Sequence, residues 1–407
     1  MEALPPPALH YPVRQNGAGR SNCNANYPAV VIVTMKDEIR IEKIDIADCQ
    51  LSLDKPVRLG TVEVRTRDYV CLRVHTNTGL IGHAIGYRSG SLLFESLDAL
   101  APRLLGRSPL MRQDIAHALE TSFVPARASY LRAASLIDIA LWDITAKHAG
   151  LPLYVLLGGE RRSVPAVPVV GFSYADRPIG QILAEIDRHR DAGETLVKVM
   201  VKGNDAVANG RYIQALSAHI GMTASLAVDA HWSWRTLTEA IDTCRRIDDC
   251  GLSFIEDPFL PQQWRLLGEL RGKLQTPIAA GEDVLDPYSY LDLSKNVDIL
   301  RVDATSSGGI TAAINAIAVA QTCGRQVLPH VFPYLHLHLA CARRTVAAVE
   351  YIPEHTGTDP VRNLLRDFPP VRGGCFHISD EPGAGCHLQW ESVAKHAVRT
   401  SSVEHSN

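Results

Sequence analysis

Three carboxylate side chains stand at the ends of three successive apolar runs. They are Asp229 in SLAVDAHW, Glu256 in LSFIEDPF and Glu282 in PIAAGED, so the gaps are 27 and 26 residues. Each gap is about the length of one strand plus one helix. The C-terminal ends of parallel strands converge at one face of a barrel, and Mg²⁺ prefers oxygen ligands. The pattern therefore predicts a divalent-metal site at that face.

The secondary-structure elements that must position these acids can be predicted from the pattern of apolar and helical segments in the second half of the chain. From residue 163 onward, short apolar runs alternate with helical stretches, which predicts parallel β/α units. Eight runs favour a barrel over an open sheet, and no Gly-x-Gly-x-x-Gly turn follows a strand. The eight runs are VPAVPVV, LVKVMV, SLAVDA, LSFIED, PIAAGED, VDILRVDA, QVLPHV and VAAVEYI.

The first part of the chain has a different pattern. Period-two alternation in IRIEKIDIADCQL and VEVRTRDYVCLRVHTNTGLIGHAIG predicts about three antiparallel strands, and LRAASLIDIALWDITAKHAG has helical spacing. We therefore expect an α+β domain before the barrel. The expected divisions are a flexible leader over 1–28, the α+β domain over 29–160, the barrel over 161–355, and a C-terminal segment over 356–407 that returns to the first domain and ends in a loose tail.

Composition narrows the class of function. The chain of 407 residues is 46% apolar and has a formal net charge of −3, so it lacks the basic field expected of a nucleic-acid or anionic-membrane binder. No run of 18 apolar residues predicts a membrane span. Nine cysteines without a C-x-x-C pair are typical of reduced thiols, which favours a cytoplasmic protein.

Taken together, the motifs resemble the enolase superfamily, and within it the mandelate racemase subgroup. The resemblance extends over roughly residues 36–390. It rests on SLIDIALWDITAKHAGLPLYVLLGG and on an ordered set of site residues with spacings of 27, 26, 21, 27 and 20. That set is Asp229, Glu256, Glu282, Asp303, His330 and Glu350. The resemblance implies a capping domain over a modified (β/α)₈ barrel, bound Mg²⁺, a small carboxylate substrate, loss of the proton α to that carboxylate, and a homo-oligomer.

The resemblance also implies roles for these residues. Asp229, Glu256 and Glu282 match the three metal ligands of the family. Asp303 and His330 match a dyad in which the histidine is the base, and an aspartate on one ring nitrogen raises the basicity of the other. Glu350 matches an acid that hydrogen-bonds the substrate carboxylate, with Glu354 as a nearby rival. For any single residue, a helix cap, a packed histidine or a solvated glutamate is the ordinary alternative.

The second barrel strand departs from the racemase pattern, which has Lys-x-Lys. Here it reads Lys198-Val-Met200-Val-Lys202, and the gap to Asp229 places Met200 where the second, catalytic lysine would be. A thioether cannot act as a base, so this strand argues against two-base racemisation. Lys202 would recover the role if the strand were shifted by two residues. Lys198 is a candidate for binding the substrate carboxylate, or it simply extends its ammonium to solvent from a strand start.

His231, two residues after Asp229, offers a different chemistry. Some acid-sugar dehydratases of the subgroup carry a histidine here that protonates the departing 3-hydroxyl, a role that suits a near-neutral pKa. The alternative is a histidine that only stacks on Trp232 or Trp234. Arg88, in the loop IGYRSGS, is a candidate contact for the distal end of the substrate, or an ordinary loop arginine.

The resulting prediction is a Mg²⁺-dependent dehydratase of an aldonic or aldaric acid that forms a 2-keto-3-deoxy acid. The alternative within the family is a racemase, epimerase or cycloisomerase that uses the same enediolate intermediate. Two further alternatives are a catalytically silent family member that serves as a binding protein, and a barrel of another family whose acids form salt bridges.

Overall fold

The computed structural model describes residues 39–59, 62–122, 127–172, 177–201 and 205–405. The expected leader over 1–28 and Lys202 lie outside these ranges. Within the described ranges, none of the helices has the length and apolarity needed to cross a membrane.

A four-stranded antiparallel sheet forms the core of the capping domain, in the order β14-β1-β2-β3. Its strands are β1 (Ile41–Leu59), β2 (Val62–Thr76), β3 (Ile81–Tyr87) and β14 (Ala397–Glu404). The helices beside it are α1 (Leu93–Leu100), α2 (Arg112–Ser122), α3 (Arg127–His148) and α4 (Leu153–Leu156). A turn at Gly79 joins β2 to β3, and its positive φ of 81° suits glycine.

The C-terminal stretch that we expected to be a loose tail instead forms β14, paired antiparallel with β1 from Lys43–Glu404 to Cys49–Ala397. This strand shows no alternation of apolar residues in the sequence, because polar side chains hold it to β1. Arg399 Nε donates to Asp48 at 2.8 Å, and Ser402 Oγ donates to Asp45 at 2.9 Å. An edge strand needs few apolar side chains when its partner strand satisfies its backbone.

Eight parallel strands form the barrel, and all eight predicted runs are strands in the structure. They are β4 (Ser163–Val170), β5 (Leu196–Met200), β6 (Ser225–Asp229), β7 (Phe254–Glu256), β8 (Ile278–Ala280), β9 (Ile299–Val302), β10 (Gln326–Pro329) and β11 (Val349–Tyr351). Sequential strands pair from β4 to β10, and β11 pairs with β4. A parallel bridge between Val327 and Val346 closes the circle.

Helices follow the first seven barrel strands. They are α5 (Ile179–Asp191), α6 (Ala206–Ile220), α7 (Leu237–Cys244), α8 (Trp264–Arg271), α9 (Ser289–Asn296), α10 (Gly309–Thr322) and α11 (Pro333–Ala342). After β11 come short 3₁₀ turns, the hairpin β12 (Val371–Arg372) and β13 (Cys375–His377), and α12 (Trp390–His396). The barrel is therefore modified at its last unit, where 3₁₀ turns stand in place of an eighth α-helix.

The interior of the barrel is packed below its C-terminal face. Because strand side chains alternate, a residue two positions before a strand-end residue lies one layer deeper on the same side. Phe254, Leu328 and Ala348 stand in that relation to Glu256, His330 and Glu350 respectively. The buried inner cluster is Val167, Ala227, Phe254, Ala279, Leu328 and Ala348.

Candidate active site

The strand ends bring the expected acids and the histidine to one face of the barrel. Met200, Asp229 and Glu256 are neighbours in register across β5, β6 and β7. Glu282 follows β8 after Gly281, whose φ is 133° and where an added Cβ would lie 2.6 Å from the carbonyl oxygen of Arg301. A side chain at position 281 would collide with β9, so this turn requires glycine.

A buried lysine ties three of these acids together. Lys198 Nζ lies 3.2 Å from Asp229 Oδ2, 2.9 Å from Glu256 Oε1 and 2.6 Å from Glu350 Oε2, and its side chain is 2% exposed. Burial alone would lower the pKa of Lys198, but the facing carboxylates, first Glu256 and then Glu350, raise it well above its usual value. Lys198 is therefore a fixed cation, and its ammonium does not reach solvent.

Arg301, on β9, is a site residue that the sequence reasoning missed. Its side chain is fully buried and contacts Glu256 Oε1 at 3.1 Å, Glu282 Oε2 at 3.2 Å and Glu350 Oε1 at 2.9 Å. A usable signal was present in LRVD: an arginine in an apolar strand two residues before Asp303 must lie on the same face, and a buried arginine needs paired acids.

Asp257 is a second residue that we missed. It adopts a left-handed backbone with φ 43°, which breaks strand alternation just after Glu256. Possible ligand oxygens of Glu256, Asp257 and Glu282 lie within 4.8 Å of one another. This backbone could not be foreseen, because Asp257 precedes Pro258 and the position before a proline favours extended backbone.

The acid cluster has a donor set that suits a hard divalent cation. Its carboxylates are Asp229, Glu256, Asp257, Glu282 and Glu350, and they outnumber the two buried cations. Glu256 Oε2 and Asp257 Oδ1 are buried and accept no hydrogen bond from the described residues. Burial raises the pKa of both carboxyls well above the usual range, and for Glu256 this outweighs Arg301 and Lys198. Oxygen-rich clusters short of positive charge are what Mg²⁺ or Ca²⁺ stabilises.

The predicted dyad is formed at the ends of β9 and β10. His330 Nδ1 lies 3.0 Å from Asp303 Oδ2, while Asp303 Oδ1 accepts the backbone N–H of Thr305 at 2.7 Å and its hydroxyl at 2.8 Å. His330 Nε2 lies 3.6 Å from Glu282 Oε1. Burial opposes protonation, but Glu282 and Asp303 raise the pKa of His330 to about 9. These two carboxylates therefore favour the protonated ring.

His231 lies at the rim of the same cavity. Its backbone N–H donates to Asp229 Oδ1 at 2.9 Å, and its ring stacks on Trp232 with centroids 4.3 Å apart. His231 and Trp232 have φ of 44° and 53°. Two adjacent non-glycine residues in this region store strain, which is concentrated at functional sites. In the structure, His231 therefore both stacks on Trp232 and lines the pocket.

The structure distinguishes the remaining candidates, Glu350, Glu354 and Arg88, by their surroundings. Glu350 is buried among Lys198 and Arg301, whereas Glu354 is exposed, 4.0 Å from Arg362. Arg88, expected near the distal end of the substrate, is instead bound to Asp48 at 3.0 Å and to Asp68 at 2.8 Å.

The pocket above the acid cluster has a volume of about 680 Å³ and is closed on one side by the capping domain. We call Asp303 and His330 the base wall. The apolar wall is Val169, Phe172, Met200 and Ile352, all of which line the pocket. Val57, from β1, packs against Val169, Phe172 and Met200. Further lining comes from β2 and from Arg132 of α3.

Comparison with known proteins agrees with this architecture. Residues 42–158 match the mandelate racemase/muconate lactonizing enzyme N-terminal domain, and residues 181–392 match the enolase C-terminal domain-like family. The L-talarate/galactarate dehydratase of Salmonella typhimurium is 30% identical over 343 residues, covering 82% of this chain and 81% of the relative. The D-galactarolactone cycloisomerase of Agrobacterium fabrum is 27% identical over 362 residues, covering 84% and 95% respectively.

Solved structures give the same result. L-talarate dehydratase from Polaromonas sp. JS666, crystallised with Mg and L-glucarate, superposes with a TM-score of 0.81 at 26% identity, covering 90% of this chain and 100% of that one. The expected fold class, a modified barrel with an N-terminal capping domain, is confirmed. The chain is an enzyme of the enolase superfamily and belongs to its mandelate racemase subgroup.

Proposed function

We propose that this enzyme is a Mg²⁺-dependent dehydratase of an aldonic or aldaric acid. The observation that supports it best is the composition of one pocket. The His330–Asp303 dyad and a second histidine, His231, line a cavity above a buried acid cluster, while Met200 replaces a second base. A base and a separate acid are the two groups that β-elimination of water requires.

The proposed metal ligands are Asp229, Glu256 and Glu282, with Asp257 beside them. The free oxygens of Glu256 and Asp257 support this assignment. When bound, Mg²⁺ supplies electrostatic stabilisation of the negative charge that develops on the substrate carboxylate. Lys198, held as a cation by three carboxylates, adds positive charge on the same side of the pocket.

In the proposed reaction, His330 removes the C2 proton through Nε2, the nitrogen that faces Glu282. A cation held by Glu282 would offset the carboxylate charge that favours the imidazolium, and so would leave Nε2 free to accept that proton. Asp303 accepts the Nδ1 hydrogen bond, so it fixes the ring orientation and stabilises the imidazolium that forms. Glu350 lies within the acid cluster where a substrate carboxylate would approach, and Arg301 and Lys198 hold it there.

His231 completes the elimination in this proposal. The C2–H electron pair becomes the C2–C3 double bond, and the C3–O bond breaks as His231 donates a proton to the departing hydroxyl. Water leaves, and the enol product tautomerises to a 2-keto-3-deoxy acid. Hydroxide is a poor leaving group, so this proton transfer is expected to matter for the rate.

The test is proton NMR in D₂O with Mg²⁺ across a set of aldonic and aldaric acids. The expected result is a new C3 methylene signal, partly deuterated, from at least one acid. The same acids without Mg²⁺, in EDTA, are the control and are expected to remain unchanged.

The contrary result is loss of only the C2 proton signal. With a new stereoisomer, that outcome would replace dehydration by epimerisation; without one, it would show a half-reaction on an acid that is not the true substrate. The cycloisomerase relative makes a third outcome worth scoring, in which a sugar-acid lactone added to the set is converted to an isomer without loss of water.

We also propose that the enzyme is a homo-oligomer, as the family resemblance implies, and that it is cytoplasmic, which its free cysteines favour. Sedimentation equilibrium of the purified enzyme tests the assembly, and a single species at the monomer mass of 44.5 kDa would contradict it.

A further inference from the structure

The capping side of the pocket contributes three arginines, and their surroundings differ. Arg65 Nη2 lies 2.6 Å from Glu63 Oε1, and Arg132 Nη2 lies 2.6 Å from Asp283 Oδ1. Arg67, on the same strand as Arg65, has no carboxylate within ion-pair distance among the described residues. It is therefore the one capping arginine of this pocket whose charge is not balanced by a carboxylate in the described structure.

Arg67 is nevertheless fixed in place. Its Nε donates to the carbonyl oxygen of Thr358 at 2.8 Å, and its Cζ lies 5.5 Å from the centre of the Tyr87 ring. Tyr87 is itself buried and donates its hydroxyl to Asp359 at 2.7 Å. The two terminal nitrogens of Arg67 make no hydrogen bond to the described residues, so one edge of the guanidinium is anchored and the forked edge is available.

The acids at this end of the pocket already have other partners. Asp359, next to Thr358 in the chain, accepts hydrogen bonds from the hydroxyls of Tyr69 and Tyr87. Glu63 is paired with Arg65, and Asp68 accepts from Arg88 at 2.8 Å and from Gln50 at 3.2 Å. A guanidinium with a free fork is the group that recognises a carboxylate through two parallel hydrogen bonds. The local charge arrangement therefore favours an anionic group on the ligand at this position.

The position of Arg67 relative to the proposed base sets an upper limit on the length of that ligand. The centre of the Tyr87 ring lies 6.4 Å from that of His330 and 5.5 Å from Arg67 Cζ, so Arg67 and His330 are separated by at most the sum of these two distances. An extended six-carbon acid spans about 5 Å from C2 to C6. With about 3 Å at each end for hydrogen-bond contacts, such an acid fits within that limit.

We propose that Arg67 binds the distal carboxylate of an aldaric acid of no more than about six carbons, and that this enzyme therefore prefers diacids to the corresponding aldonic acids. This inference rests on the proposed function, because it assumes that C2 of a sugar acid faces His330. It adds a specificity residue and selects one of the two substrate classes that the proposed function leaves open.

The experiment compares matched pairs of acids that differ only at the distal carbon, galactarate and D-galactonate among them. For each acid, kcat/KM for keto-acid formation and the Mg²⁺-dependent shift in Tm are measured with the native enzyme. The same measurements are made with Arg67→Gln, with Arg67→Lys, and with Arg65→Gln as a matched control. Arg65 lies on the same strand and carries the same charge, but it is exposed and already paired.

The native enzyme is expected to prefer the diacid of a pair by about 10- to 100-fold, the range of one charged hydrogen-bonded contact. Arg67→Gln should remove that preference and leave the monoacid nearly unaffected, and Arg67→Lys should retain part of it. Arg65→Gln should preserve the preference. Equal losses on both acids of a pair would assign Arg67 a structural role and overturn the inference.

Failure of the inference and failure of the proposed function give different results. If monoacids are dehydrated as well as diacids and Arg67→Gln does not alter the ratio of their kcat/KM values, dehydration is supported and the distal site is refuted. If diacids stabilise the native enzyme but not Arg67→Gln, and no acid yields a keto acid, the distal site is supported and dehydration is refuted. If no acid binds or reacts, both are overturned.

Discussion

The base wall and the apolar wall of the pocket differ in what chemistry they permit. The base wall holds a hydrogen-bonded Asp303–His330 pair, whereas the apolar wall presents Met200 packed against Val169 and Phe172. In the closed order of eight strands, β5, which ends in Met200, lies three strands from β10, which precedes His330, and four strands from β9, which precedes Asp303. In the proposed reaction we therefore expect proton transfer at C2 from one side of the substrate within the described structure.

Lys198 does not change this contrast, although it stands on the same strand as Met200. Three carboxylates surround it and raise its pKa well above the usual value, so its surroundings favour the charged form over a free base. A lysine near a reacting carbon is therefore not by itself a base. The surrounding charges decide whether it acts as a base or as a counter-ion.

Removal of the base should have the largest effect. We expect His330→Asn to lower kcat toward the upper end of the range of about 10²- to 10⁴-fold that general bases contribute. Deuterium exchange at C2, followed by NMR, should fall by the same factor. Exchange at an undiminished rate would show that the apolar wall, or a residue beyond it, supplies a base and would break the contrast between the walls.

Loss of the acid should have a smaller and more selective effect. We expect His231→Ala to slow dehydration by about 10²-fold while C2 exchange continues, because His231 acts after the proton is removed. Trp232→Leu is the control, since it removes the ring on which His231 stacks but keeps the imidazole. Equal losses in the two variants would favour the stacking role.

The acid cluster between the walls should make the stability of the enzyme depend on Mg²⁺. At Mg²⁺ about 100-fold above its Kd, the native enzyme should gain about 2.7 kcal/mol, seen as a rise in Tm that EDTA reverses. Glu256→Gln should lose most of that rise. The control is Asp367→Asn in the exposed group Asp367, Glu381 and His387, which should keep it. The opposite pattern would move the metal to that surface group.

The smallest effect is expected on the apolar wall. Met200→Leu conserves volume and apolarity, so it should cost less than about 1.5 kcal/mol of stability and leave kcat almost unchanged. Thermal unfolding and the NMR assay measure the two quantities. A large loss of kcat in a variant of unchanged Tm would mean that the thioether has a chemical role and that the apolar wall is not passive.

Much of the fold could be predicted because buried parallel strands can be recognised in a sequence as short apolar runs between helices. All eight runs became strands, and the strand-end rule brought Asp229, Glu256, Asp303 and His330 to one face. The same rule missed β14, because its side chains are polar and its pairing is made by the backbone. Edge strands of this kind carry no apolar period to detect.

The site was predictable to the extent that strand alternation governs it. Asp257 was missed because its left-handed backbone breaks alternation. Arg67 was missed because an arginine among the alternating charges of VEVRTRD is typical of a solvent-facing strand. Arg88 was placed wrongly since sequence cannot show that Asp48 and Asp68, distant along the chain, surround it. Long-range charge pairing is settled only by the packed structure.

The pairing of β14 with β1 has a consequence for synthesis of the protein. About 300 residues separate the end of β3 from the start of β14, so at about 5–20 residues per second the ribosome needs roughly 15–60 s to deliver the missing strand. During that interval β1 presents an open hydrogen-bonding edge, which other nascent chains can occupy. The capping sheet should therefore be the part of this enzyme that depends most on chaperones.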